Sequence, residues 1–312
     1  MMKALQKYYS ILAGIICLLG VFIISQNAVA QNPDDAYEIR TFSASGIENI
    51  QATTAGGALL YEGSEKGEVR VEMYVRKRNR YLKNPDDRLD DYEITIEAKG
   101  SEIIAKAHKK RGWGRKNNLS VEFKIYGPQN VTLDYTTSGG PISASNVVGD
   151  IKLLTSGGPI KIKEIEGDMD IHTSGGPISA ERVAGKLNAR TSGGPIKVAD
   201  ADGDIRLRTS GGPIKLANVS GKDVDAETSG GPINADIMKL SGNVKLETSG
   251  GNISVRLPTG LGYRIDASGS WISTDLEGFK GSVKSNRMQG VVGNGGHEIY
   301  LRTSGGTINI KT

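Results

Sequence analysis

The hexamer Thr-Ser-Gly-Gly-Pro-Ile begins at Thr137 and returns unchanged at Thr155, Thr173, Thr191, Thr209 and Thr228. Successive copies lie 18, 18, 18, 18 and 19 residues apart, and "TSGGNI" follows 20 residues on at Thr248. A worn copy, "ASGSWI", starts at Ala267, and "TSGGTI" starts at Thr303, two periods after Ala267. A fixed period near 18 is the signature of stacked coils, each unable to bury its apolar face alone. The repeat therefore constrains the fold more than any local motif does.

One repeat, "TSGGPIKIKEIEGDMDIH" from Thr155 to His172, shows the expected coil. Ile160 and Ile162 alternate with Lys161 and Lys163, and Met169 and Ile171 alternate with Asp168, Asp170 and His172. That is the period-2 pattern of two short half-buried strands. Glycine marks both bends. The Gly-Gly pair suits positive φ, proline is tolerated at the first residue of a strand, and a second glycine recurs at Gly149, Gly167, Gly185, Gly203 and Gly221. Inward positions Ala144, Ile162, Ala180, Val198, Leu216, Ala235 and Val255 are all apolar. The positions before them, Ser143, Lys161, Ser179, Lys197, Lys215, Asn234 and Ser254, are all polar. The ladder His172, Arg190, Arg208, Glu227, Glu247 changes sign midway and reads as a solvated face.

The fold class expected is all-β: a parallel β-solenoid, single-stranded and β-helix-like, of ~18-residue coils with a β-rich N-terminal cap. Residues 137–312 make the solenoid, nearly ten coils and on the order of 45 Å at the usual strand spacing. Residues 31–136 make the cap and the first degenerate coils. Within them "TTAGGALL" from Thr53 is a worn repeat, and "YEITIEAKG" and "SEIIAKAHK" form a hairpin through Lys99-Gly100-Ser101. A cap is required because a bare solenoid end presents unpaired strand edges. The C-terminal "NIKT" is expected to do the same at the other end.

Residues 1–30 read as an export signal. Lys3 and Lys7 precede an apolar run, Ile11 to Ile24, and Ala28-Val29-Ala30 forms a small-x-small cleavage site. The run is short against the ~20 residues of a membrane span, so no transmembrane segment is expected after cleavage. The only cysteine, Cys17, lies inside this run. Disulfides, thiolate chemistry and cysteine-rich metal sites are thereby excluded from the mature chain. Its net charge of +4 falls to +2 without Lys3 and Lys7, too little to imply a nucleic-acid partner.

The "GEVRVEMYV" stretch from Gly67, the string of repeats, and the ending "GSVKSNRMQGVVGNGGHEIYLRTSGGTINI" together resemble the bacterial putative-adhesin family of β-strand repeat domains. The resemblance covers nearly all of the mature chain. It implies a right-handed or irregular parallel β-solenoid, export to the envelope and no catalytic residues. No binding site is carried over.

Catalytic and cofactor motifs fit poorly. "AGKL" at Gly185 and "SGKD" at Gly221 lack the hydroxyl residue and the helix of a phosphate loop. Asp150, Asp168 and Asp204 are interrupted by Lys186, unlike a calcium-binding β-roll. His108, His172 and His297 share no metal-ligand spacing, so no cofactor or metal is expected. Paired-carboxylate catalysis needs a break in the repeat, and the sizeable irregular stretch, 257–296, brings Asp266, Asp275 and Glu277 near His297 in sequence.

The candidate site is "KAHKKRGWGRK", Lys106 to Lys116, which holds no acid. Lys109, Lys110, Arg111, Trp113, Arg115 and Lys116 form a cationic tip around an aromatic ring, suited to acidic glycan or lipopolysaccharide. A second basic run spans Arg76 to Lys83. The function expected is that of an exported, non-enzymatic adhesin or envelope-binding scaffold in the periplasm or at the cell surface. The alternatives are a polysaccharide-active β-helix enzyme and an envelope-stress accessory protein with an envelope-protein partner.

Overall fold

Alternating apolar residues within the repeats become two short strands that face each other across one core, and in two repeats the pair runs on as one long strand, Ile196–Thr209 and Ile214–Thr228. Strands before the Thr-Ser-Gly-Gly-Pro bend, such as Ile151–Thr155, Met169–Thr173 and Leu187–Thr191, pair in parallel as one ladder. Strands after it, such as Ile142–Val148, Ile160–Glu166 and Ile178–Ala184, pair in parallel as another. The partner of a residue is its equivalent one repeat later, as in Ile142 with Ile160 and Ile160 with Ile178. Ile151, Leu153, Ile160, Ile162 and Ile165 of one coil are all buried. The computed structural model describes residues 36–78, 80–83, 89–110 and 119–312, and the expected export signal lies outside them. Ala36–Thr312 form one compact, all-β unit with solenoid-like stacking. No helix among the described residues is long and apolar enough to cross a membrane.

The conserved shape of the bend has a different cause from the one expected. Neither glycine of the pair takes a positive φ. The second glycine is required instead by contact between coils: a Cβ on Gly158 would lie 1.9 Å from the Gly140 carbonyl oxygen, and one on Gly176 would lie 2.0 Å from that of Gly158. The first glycine is roomier, with the nearest atom to a Cβ on Gly157 at 4.0 Å. Positive φ occurs at the other bend, at Gly149, Gly167, Gly185 and Gly203, where a Cβ would also strike the preceding coil.

The hexamer's threonine is buried and bonds in two directions. Thr155 Oγ1 donates to the Gly140 carbonyl at 3.0 Å and accepts from the Gly158 N–H at 3.3 Å. Thr173 then donates to the Gly158 carbonyl at 2.9 Å and accepts from Gly176 at 3.2 Å. The relay runs on through Thr191, Thr209, Thr228 and Thr248. Hydroxyls therefore bond to glycine backbone, not to each other. The proline carbonyls accept from the isoleucine N–H one coil earlier, for example Ile142 to Pro159 at 3.0 Å.

A third irregularity escapes the alternation pattern. Asn146, Glu164, Arg182, Asp200 and Asn218 all have φ between 52 and 57°. Each lies within its strand and shifts the alternation by one residue, so that Val147, Ile165, Val183, Ala201 and Val219 turn inward again. For non-glycine residues this conformation costs roughly 1–2 kcal/mol, less for Asn and Asp. Arg182 donates from Nε and Nη2 to Glu164 Oε1 at 3.0 and 2.8 Å, and this contact lowers the Glu164 pKa.

At both ends the spatial order departs from the chain order. Asn49–Thr54 lies between Glu102–Lys109 and Thr132–Thr137, and Leu59–Ser64 lies between Leu119–Pro128 and Ile142–Val148. The worn repeat at Thr53 is thus an interior coil. At the other end His297–Thr303 is inserted between Val244–Thr248 and Tyr263–Ser268, and Thr307–Lys311 between Ile253–Arg256 and Trp271–Thr274. The "NIKT" segment, expected to cap, is instead paired on both sides. Antiparallel strands finish the ladders: Tyr92–Lys99, Glu68–Lys77 and Glu38–Ser43 near the N-terminus, and Arg287–Val292 and Phe279–Lys284 near the C-terminus. The hairpin through Gly100, at φ 61°, is as expected.

Gly158→Ala should cost about 3 kcal/mol or more, because backbone meets backbone, whereas Gly157→Ala should change stability by less than about 1 kcal/mol. Urea unfolding of the two variants checks this contrast. Thr173→Val, nearly isosteric, strands the Gly158 carbonyl and the Gly176 N–H, and should cost about 1–3 kcal/mol in the same assay.

Candidate binding surface

Of the cationic tip, Lys109 and Lys110 are described, while Arg111, Trp113, Arg115 and Lys116 lie outside the described residues. Lys109 ends the strand Glu102–Lys109 opposite Tyr92, and the Lys110 N–H donates to the Asp91 carbonyl at 2.8 Å. The next described residue, Leu119, is held by the same tyrosine. Tyr92 Oη donates to the Leu119 carbonyl at 2.9 Å and accepts from its N–H at 3.2 Å. Burial raises the Tyr92 pKa, and the bond to Leu119 opposes that rise. Both roots of the tip are therefore pinned at one place.

The second basic run reaches the same place by sheet pairing. Glu68–Lys77 turns at Arg78, φ 56°, into Arg80–Leu82. Lys77 then lies opposite Leu119 and Arg76 opposite Ser120. Two cationic segments thirty residues apart in the chain thus converge on the Leu119 end of one strand. Lys77 is half-buried and Arg78, Arg80, Lys83 and Lys110 are exposed. Sequence reading found both runs and missed their meeting. The missing signal was cross-strand register, which no local pattern carries.

Next to these cations the outward face of the sheet holds a buried polar network. Glu72 and Glu122 are buried, 2% and 5% exposed. Arg70 Nη2 lies 2.5 Å from Glu72 Oε1, and Tyr74 Oη donates to Glu72 Oε2 at 2.6 Å. Arg76 Nη2 lies 3.3 Å from Glu122 Oε1. Lys124 Nζ sits 5.0 Å from the Tyr74 ring centre, against which Tyr81 packs edge-on at 5.9 Å. Burial pushes the Tyr74 hydroxyl up, and the Glu72 hydrogen bond and charge add to it. Burial lowers the Lys124 pKa against the pull of Glu72 and Glu122. Alternation in "EVRVEMYVRK" hinted at this face, since Val69, Val71, Met73 and Val75 point to the core.

Other candidates are dispersed. His297 Nδ1 bonds the Gly242 carbonyl at 2.8 Å, and Asp266 accepts from Gln289 at 3.1 Å. Asp275 and Glu277 line a separate cavity of about 520 Å³ with Tyr263 and Thr312. A groove of about 480 Å³ along the glycine corner mixes Asp134, Asp150, Asp168 and Asp170 with Lys152 and Lys186. No group of three or more metal-ligating side chains occurs among the described residues.

Stacked repeats, antiparallel ends and a cationic rim define an all-β repeat protein with a solenoid-like sheet. The chain belongs to the Toastrack DUF4097 family, whose model matches residues 31–311. Among curated proteins, none matches it. Among solved structures it is similar to a "putative adhesin" from Bacteroides fragilis, at 15% identity over 88% of this chain and 96% of that one, with a TM-score of 0.45. It is also similar to a "putative cell adhesion protein" from Clostridium sporogenes, at 16% identity, 88% and 97% coverage and a TM-score of 0.22. A "Putative lipid binding protein" from Parabacteroides distasonis matches at 17% identity, 87% and 96% coverage and a TM-score of 0.38. These likenesses carry no ligand across to this chain.

Glu72→Gln keeps an acceptor for Tyr74 but removes the charge opposite Arg70. It should cost about 1–3 kcal/mol, the cost of a broken buried pair reduced because Arg70 is partly solvated. Urea denaturation against the parent protein measures it.

Proposed function

We propose that the protein is an exported, non-enzymatic adhesion or envelope-binding scaffold that holds acidic glycan, lipopolysaccharide being the leading case, at its cationic rim. The observation that supports this reading is the meeting of Arg76 and Lys77 with Lys109 and Lys110 around Tyr92 and Leu119. Clustered Lys and Arg meet phosphates or uronates, and Trp113 supplies a stacking face for sugar. In this reading residues 1–30 are removed on export to the periplasm or cell surface. Residues 31–136 form the cap and first degenerate coils of a parallel β-solenoid of residues 137–312, and the rim lies on that cap. Lys109, Lys110, Arg111, Trp113, Arg115 and Lys116 make the contact, joined by Lys77 and Arg80.

Replacing Lys109, Lys110, Arg111 and Trp113 together with serine should lower retention on immobilised lipopolysaccharide or heparin, with elution at distinctly lower salt. Unchanged retention would overturn the rim as the binding surface. Incubation with acidic polysaccharides tests the enzyme alternative. New reducing or unsaturated ends would replace the scaffold reading with a polysaccharide-active one.

A further inference from the structure

The two ends of the ladder that precedes the bend expose strand edges that match each other. Near the N-terminus the outermost strand is Tyr92–Lys99, paired only through Glu102–Lys109. Near the C-terminus it is Phe279–Lys284, paired only through Arg287–Val292. Neither edge has a further strand beside it among the described residues. Open edges of this kind are templates for pairing with another chain.

Their charges are opposite and equally spaced. Ile94, Ile96 and Ala98 lie opposite core residues Ala107, Ala105 and Ile103, so Glu93, Thr95 and Glu97 occupy the outer face. Val283 lies opposite the buried Met288, itself opposite Ala267, so Lys280, Ser282 and Lys284 occupy the outer face of the other edge. Lys284 faces Arg287 across its hairpin, a like-charge pair that favours an acidic neighbour. Glu93, Glu97, Lys280 and Lys284 are exposed and take part in no ion pair among the described residues.

The backbone phase matches as well. In an antiparallel pair alternate residues exchange both backbone bonds, leaving those between them to face away. The Lys110-to-Asp91 bond sets this phase for the first edge, so Ile94, Ile96 and Ala98 turn their N–H and C=O groups outward. The Ile96 carbonyl shows this directly: Arg40 Nη1 reaches across from Glu38–Ser43 to cap it at 2.5 Å. At the second edge the Gly269-to-Asn286 bond sets the phase, and Phe279, Gly281 and Val283 face outward.

We propose that a second copy of this chain docks head to tail, its Phe279–Lys284 edge pairing antiparallel with the first copy's Tyr92–Lys99 edge. The register sets Glu93 against Lys284, Thr95 against Ser282 and Glu97 against Lys280 on the outer face. Ile94 meets Val283, Ile96 meets Gly281 and Ala98 meets Phe279 on the inner face. In that register every outward backbone group named above meets a counterpart, with Arg40 giving up the Ile96 carbonyl to the Gly281 N–H. Val283, 56% exposed, gains an apolar partner in Ile94. The contact joins unlike surfaces and does not close on itself, so it generates open linear chains.

Sedimentation velocity of the purified protein across a concentration series should show mass growing beyond the monomer, and growing less at high salt. The variant Lys280→Glu/Lys284→Glu and the variant Glu93→Lys/Glu97→Lys should each stay monomeric, with the circular dichroism of the parent. Mixed in equal amounts, the two should assemble, because each acidic C-terminal edge then finds a basic N-terminal one. A parent that stays monomeric at every concentration, single variants that assemble like the parent, or a mixture that stays monomeric would each overturn the proposal.

Discussion

Coils can stack here only because one glycine per repeat lets backbone approach backbone at the bend. At that point the threonine hydroxyl links the carbonyl of one coil to the N–H of the next. The two features depend on each other. A side chain at Gly158 would separate the coils, and without the threonine the buried polar groups at the bend would lack partners. The parallel ladders, the inward apolar residues and the outward polar rows all follow from keeping that spacing constant. The two longer repeats, which pair across 19 and 20 residues at Ile205–Val224 and Val224–Val244, place their extra residues at the opposite corner and leave the threonine bend intact.

The ends solve a different problem. A stack of identical coils has no natural terminus, and its last strands would expose backbone to any passing chain. The protein tucks both outermost coils of the chain inside the stack, the N-terminal coil at Asn49–Ser64 and the C-terminal coil at His297–Lys311. Antiparallel strands then complete each ladder. The buried Arg70–Glu72–Tyr74 and Arg76–Glu122 contacts belong to one of these closing sheets. The cationic rim is built on its margin. Departures from the repeat and unusual surface chemistry therefore coincide.

Much of the architecture was legible in the residue pattern. The hexamer gave the period, alternation gave two strands per coil, and Gly100-Ser101 gave the hairpin. The worn copy at Thr53 was visible as a coil. The role of the Gly-Gly pair was not, because the pattern gives no distance between adjacent coils and so cannot separate a φ requirement from a contact requirement. The left-handed residues Asn146, Glu164, Arg182, Asp200 and Asn218 were hidden for a related reason. Their chemistry varies from copy to copy, and what they share is a backbone angle.

The sequence by itself determined the local geometry: which residues turn inward, where each coil bends and which segments are basic. These depend on nearest neighbours along the chain, and an 18-residue repeat states them many times over. Only the tertiary structure decided the order in which the terminal coils stack, the insertion of "NIKT" between two other strands and the meeting of two basic runs at Leu119. Each is a long-range pairing between strands of similar composition. Alternation alone gives such strands several acceptable partners, and packing of the whole sheet selects among them.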